Sequence, residues 1–118
     1  MIRETNEWLI FERRFQQIIQ LSNHTVGQNR LVYSPNWIAA QSALIRFGQQ
    51  IGLTVMVDNY GNVYLDLPGK DDQVIATGSH MDTVIDGGKY DGLYGVLGGL
   101  QAINALKNRL GTPQHSLR

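Results

Sequence analysis

Three side chains in one short stretch could act on a metal ion: His80, Asp82 and Asp91. The stretch runs from Val74 to Leu106 and passes from an apolar run, Val74-Ile75-Ala76-Thr77-Gly78, into a glycine-bearing loop and then a helical pattern. His80 and Asp82 stand two apart, so in an extended segment they point to the same side. His80 could bind a metal through one ring nitrogen. Asp82 could contact that metal, orient a neighbouring ligand or hold a catalytic base. The loop Asp86-Gly87-Gly88-Lys89 is short enough to fold Asp91 back toward His80, at a helix start where the dipole favours a carboxylate. A carboxylate there could bridge two divalent ions ~3.5–4 Å apart, a pair that activates water and polarises a carbonyl. Imidazole with carboxylates suits zinc, and also manganese, cobalt or nickel. Each residue also has a plainer reading. A His-x-Asp triplet recurs by chance, Asp91-Gly92 can be a helix cap and turn, and Asp86-Gly87-Gly88 is ordinary loop chemistry.

Other chemistries find less support. The glycines match neither the phosphate-loop order nor the dinucleotide fingerprint directly after a strand. Ser79 is not in a Gly-x-Ser-x-Gly elbow. The chain has no cysteine, which excludes a disulfide framework, a thiolate metal site and a cysteine nucleophile.

The elements that must position these residues are readable from periodicity. Trp8, Phe11, Phe15, Ile18 and Ser22 recur at helical spacing, predicting an amphipathic helix from about Thr5 to Leu21. The polar stretch from Ser22 to Val32 reads as a loop, with His24 a surface histidine and with Arg30 and Tyr33 able to face a ligand. Ser34-Pro35 is a helix start and Gly52 a left-handed stop, which predicts a helix over Pro35–Ile51. Leu53–Asp58 and Val63–Leu67 alternate around the turn Asn59-Tyr60-Gly61-Asn62, as in a hairpin. Val74–Gly78 does not alternate, as expected of a strand buried on both faces. Leu93, Val96, Leu97, Leu100, Ile103 and Leu106 form one stripe of a helix from about Gly92 to Lys107. Gly92, Gly95, Gly98 and Gly99 lie in its first half, where each interior glycine costs roughly 1 kcal/mol against alanine. So many glycines imply a close backbone approach to the sheet. The tail from Gly111 to Arg118 reads as loop. The order implies an α/β fold with helices packed on a mixed sheet.

Composition sets the outer bounds. The chain has 118 residues, enough for one domain with a real core. It is 42% hydrophobic and 17% charged, a globular balance. Lys plus Arg and Asp plus Glu are both 10, so no basic excess points to nucleic acid or an anionic membrane. No apolar run approaches the ~20 residues of a membrane helix, and the first residues lack a signal-peptide core. The expectation is a cytoplasmic protein without nucleic-acid or membrane partners.

Beyond these readings, Gly78-Ser79-His80-Met81-Asp82-Thr83-Val84, Gly87-Gly88-Lys89-Tyr90-Asp91-Gly92 and Gly95-Val96-Leu97 resemble the signature of the dizinc aminoacylase/carboxypeptidase family of amidohydrolases. The short Gly-Gly gap between His80 and Asp91 is similar to the branch of N-carbamoyl-L-amino-acid hydrolases, allantoate amidohydrolases and ureidoglycolate-type hydrolases. Arg30-Leu31-Val32-Tyr33-Ser34-Pro35 and Asp58-Asn59-Tyr60-Gly61-Asn62 resemble the same branch. The resemblance implies a zinc-aminopeptidase-like catalytic domain with His80 a ligand of one metal, Asp91 bridging two, and Asp82 orienting the machinery from behind. It implies two Zn²⁺ or Mn²⁺ ions, with Co²⁺ or Ni²⁺ as alternatives, a small ureido or amide substrate, and homodimers in full-length members.

In that family a Glu-Glu pair follows the next strand, one glutamate acting as general base and the other as ligand. This chain has no such pair, and His115 has no matching context for a later ligand. The expectation is therefore the N-terminal segment of a catalytic domain over residues 1–118, without the lid and dimerisation domain and inactive alone. The alternative is a non-catalytic binding module, self-associating through an exposed sheet edge.

Overall fold

The computed structural model describes residues 6–22 and 26–118; Thr5 and His24 lie outside the described residues. Three helices and four short strands form a slab of 46 × 46 × 19 Å, the thickness of one helix layer on one sheet. Helix α1 (Asn6–Ser22) turns Phe11, Phe15, Ile18 and Ile19 into the core and packs on both other helices. Helix α2 (Pro35–Ile51) has the predicted bounds. The Ser34 hydroxyl accepts the Trp37 N–H at 3.3 Å, Pro35 opens the first turn, and Gly52 closes the helix at φ 88°. Its buried face of Ala40, Ala43, Leu44, Phe47 and Ile51 lies over β1 (Thr54–Val57) and β2 (Val63–Asp66), which pair antiparallel as the predicted hairpin.

The hairpin tip is tied by one carboxylate. Asp58 Oδ1 accepts the N–H groups of Tyr60 and Asn62, each at 2.9 Å. Its Oδ2 accepts Asn62 Nδ2 at 2.8 Å and the Tyr64 hydroxyl at 3.2 Å. These donors, the Asn62 amide first, hold the Asp58 carboxyl below its ordinary value. A carboxyl lowered by folding stabilises the fold above the ordinary aspartate range of about 3.9, and that stabilisation is lost as pH falls through the lowered value. Acid should therefore reduce the hydrogen-exchange protection of the Tyr60 and Asn62 amides, and Asp58→Asn should abolish that pH dependence. Protection unchanged by acid would contradict this role.

Two expectations fail in the second half of the sheet. The segment from Val74 to Gly78 is not a strand buried on both faces. Only β3 (Val74–Ile75) has strand pairing, and both its residues are exposed. The tail is not all loop either: after α3 (Leu93–Leu110), residues Ser116–Leu117 form β4, parallel to β3. Leu67, just past β2, exchanges both main-chain hydrogen bonds with Leu117, at 2.9 and 3.0 Å. The β1–β2 and β4–β3 pairs are thus two two-stranded sheets joined by this bridge, in the spatial order β1, β2, β4, β3, with mixed strand directions as expected. Thr77 N–H donates to Arg118 O at 2.8 Å and is the last rung. Past it, residues 78–82 run on without a partner strand among the described residues. A helix layer covers one side of this segment only, which is why the apolar run does not imply burial here.

The close approach inferred from the α3 glycines is real at three of the four. A Cβ on Gly99 would stand 2.9 Å from Thr77 Cγ2, one on Gly95 2.9 Å from Ser79 Cβ, and one on Gly92 2.6 Å from the His80 ring. Gly98 faces open space. The segment carrying His80 is therefore laid directly on the α3 backbone. The core joins Leu93, Leu97, Leu100 and Ile103 of α3 to Phe15, Ile18, Phe47, Leu65 and Met81.

Candidate metal centre

The structure brings His80, Asp82 and Asp91 together. Met81 is buried and its neighbours turn outward, so His80 and Asp82 face the same side, as an extended segment requires. His80 Nδ1 lies 2.9 Å from the main-chain oxygen of Asp82 and 3.6 Å from its carboxylate. Since a carbonyl oxygen only accepts, Nδ1 carries the proton, and the lone pair of the neutral ring sits on Nε2. Nε2 stands 3.4 Å from Asp91 Oδ2. That is longer than the ~2.7–2.9 Å of a charge-assisted hydrogen bond. Two ligands ~2.0–2.1 Å from one tetrahedral ion stand about 3.4 Å apart. A lone pair facing a carboxylate at this separation is a donor set that fits a shared divalent cation.

Asp91 is free for that task. The helix cap is Gly92, and the Asp91 carboxylate faces the His80 ring. Gly92 sits at φ 71°, ψ −55°, and Leu93 N–H donates to Asp91 O at 2.8 Å, so residues 91–93 form a γ-turn. This tight turn places the Asp91 carboxylate across from the imidazole. A Cβ on Gly92 would strike the His80 carbonyl oxygen and crowd its ring, so the two halves of the site meet where only glycine fits.

The rest of the loop is architecture. Gln28 and Gly87 exchange main-chain hydrogen bonds at 2.9 and 2.8 Å. The Asn29 amide bonds Asp86 through both its nitrogen and its oxygen. Asp86 takes φ 50° in this turn. The plainer reading of Asp86-Gly87-Gly88 as loop chemistry is thus the correct one.

Of the two residues read as able to face a ligand, Tyr33 lies at the rim of a cleft and Arg30 does not. The cleft, about 650 Å³, opens between α2, the hairpin tip and the 76–82 segment, and its lining includes Tyr33, Trp37, Tyr60, His80 and Asp82. Tyr33, at φ 65°, donates its hydroxyl to Tyr60 O at 2.9 Å. Arg30 has no exposed surface. It binds the main chain beneath His80 and Asp82, a role with no signal in its local sequence. His115 is engaged elsewhere: its Nδ1 lies 2.8 Å from Asp71 in the turn before β3 and, with Gln114, lowers the Asp71 carboxyl from its ordinary value.

Asp82 lies on the Nδ1 side of the ring and Asp91 on the Nε2 side, so two side chains rather than three converge on one point. Accordingly, among the described residues no group of three or more His, Cys, Asp or Glu side chains forms a closed metal cage. No described helix is long and apolar enough to cross a membrane.

Comparison with known proteins bears on the family of the chain. No family model matches the chain. The allantoate amidohydrolase of Bacillus subtilis is 46% identical over 93 residues, covering 77% of this chain and 23% of that protein. The N-carbamoyl-L-amino-acid amidohydrolase of Paenarthrobacter aurescens is 34% identical over 97 residues, covering 80% of this chain and 24% of that protein. A crystal structure of a hydantoinase/carbamoylase family amidase from Burkholderia multivorans superposes with a TM-score of 0.86 at 30% identity, covering 92% of this chain and 27% of that one. The chain thus spans about a quarter of the length of the relatives it matches. In sequence and in fold, it belongs to the branch of amidohydrolases that holds the allantoate amidohydrolases and the N-carbamoyl-L-amino-acid amidohydrolases.

Proposed function

We propose that this chain supplies one half of a divalent-metal centre that hydrolyses a non-peptide C–N bond in a small ureido or carbamoyl compound. The observation that carries the reading is the opposition of His80 Nε2 and Asp91 Oδ2 at 3.4 Å, with Nδ1 already committed to Asp82 O. The names of the relatives support the substrate class. His80 and one oxygen of Asp91 would hold one ion, and the second Asp91 oxygen is available to another. Zn²⁺ or Mn²⁺ suits these donors, with Co²⁺ or Ni²⁺ as alternatives. Such ions, when bound, polarise a carbonyl and acidify water. Asp82 keeps the imidazole in the tautomer that can ligate, and the cleft beside it admits a small polar substrate. One imidazole and two carboxylates are too few for a tight catalytic site, and among the described residues no glutamate lines the cleft to shuttle a proton.

The 118-residue chain with added Zn²⁺ or Mn²⁺ is therefore expected not to turn over allantoate or N-carbamoyl amino acids. A folded chimera in which it replaces the matching segment of the Bacillus subtilis relative is expected to hydrolyse allantoate, and His80→Ala should remove that activity. An inert folded chimera, or a chimera indifferent to His80→Ala, would contradict the reading.

A further inference from the structure

Arg30 is the largest fully buried side chain among the described residues, and it forms no ion pair with a carboxylate there. An apolar side chain of similar volume would fill the space at lower desolvation cost, so packing alone does not call for an arginine. Its contacts are specific. Nε donates to Met81 O at 2.7 Å, and Nη1 donates to Ser22 Oγ at 2.6 Å and Gln28 Oε1 at 3.0 Å. Arg30 N–H donates to Thr83 Oγ1 at 2.8 Å, and Thr83 N–H donates to Arg30 O at 2.9 Å.

These bonds fall on the two peptide planes that flank Asp82. The Met81 carbonyl belongs to the plane before Asp82 and is held by the guanidinium. The Thr83 N–H belongs to the plane after it, and the oxygen of that same plane is Asp82 O, the acceptor of His80 Nδ1–H. Ser22, at the end of α1, and Gln28 anchor the guanidinium from behind. The charge of Asp82 in turn favours the buried cation against its desolvation.

We infer that Arg30 is a positioning residue of the metal centre: its side chain locks the peptide plane before Asp82, so that Asp82 O fixes the His80 tautomer and aims Nε2 at Asp91. This rests on the reading of His80 as a metal ligand, and the two can be tested apart.

The test is the ring tautomer of His80, read by long-range ¹H–¹⁵N correlation NMR on the metal-free chain at a pH where imidazole is neutral. The wild-type chain should show the Nδ1–H form. Arg30→Met, shown to be folded by circular dichroism, should give a mixture of tautomers, and Arg30→Lys should recover part of the Nδ1–H form. A merely stabilising arginine would lower the melting temperature and leave the tautomer alone. If Arg30→Met does not fold, Ser22→Ala decides, since it removes one anchor and keeps the charge. A folded variant with an unchanged His80 tautomer overturns the inference. Zn²⁺ alone is then titrated: the wild-type Nε2 signal should respond, with affinity falling about 10-fold in the Arg30 variant. A wild-type His80 that ignores Zn²⁺ overturns the metal reading, while the tautomer result still decides what Arg30 does.

Discussion

Gly92→Ala is expected to destabilise the chain by about 3 kcal/mol and to break the approach of Asp91 to His80. Two costs add. Gly92 holds φ 71° and ψ −55°, a γ-turn geometry that strains any residue with a Cβ. The added carbon would also meet the His80 carbonyl and stand 2.6 Å from the ring, against a segment pinned by Arg30 and Thr83. Relief requires moving either the helix start or the 78–82 segment, and each carries one of the two donors. Gly98→Ala provides the contrast. It lies in the same helix with nothing near its Cβ position, so alanine should stabilise by about 0.5–1 kcal/mol. Thermal denaturation of the two variants should give melting temperatures displaced in opposite directions. Equal displacement would mean that the glycines serve helix flexibility and not the contact with His80.

The sequence made some of this plain and concealed the rest for physical reasons. Helix α2 was legible to the residue because its two ends carry their own chemistry, Ser34-Pro35 and Gly52. The hairpin was legible because alternation and turn are both local. β4 was not, since two residues after a loop have no pattern and their partners, Val74–Ile75 and Leu67, are far away in the chain. The depth of β3 was misread because an apolar run records what a segment can bury, not what covers it. At the site, the spacing of His80, Asp82 and Asp91 and the glycines around them announced the convergence. What it could not announce was which side of the ring each carboxylate takes, or that the main-chain oxygen of Asp82 is nearer to Nδ1 than its carboxylate. Arg30 was hidden most completely. In a polar loop it reads as a residue able to face a ligand, yet it is wholly buried, with Gln28 and Ser22 as its partners.

The second large effect is on metal binding. His80→Ala removes the imidazole, and Asp91→Ala removes the carboxylate opposite it, so each leaves a single donor and should nearly abolish specific binding of a divalent ion. Asp82→Asn should do less, because its main-chain oxygen, the nearer partner of Nδ1, remains. The loss from Asp82→Asn should stay within the 10–100-fold typical of partners that act through a ligand. This order, with His80 and Asp91 together above Asp82, distinguishes two donors facing one ion from a loose acidic patch, in which the two aspartates would count alike.

The most direct measurement is Zn²⁺ titration of the 118-residue chain by isothermal calorimetry, beside His80→Ala and Asp91→Ala variants verified as folded. Weak but saturable binding to the wild-type chain is expected, nearly abolished by either substitution. Equal binding by all three proteins, or none by the wild type, would contradict this expectation.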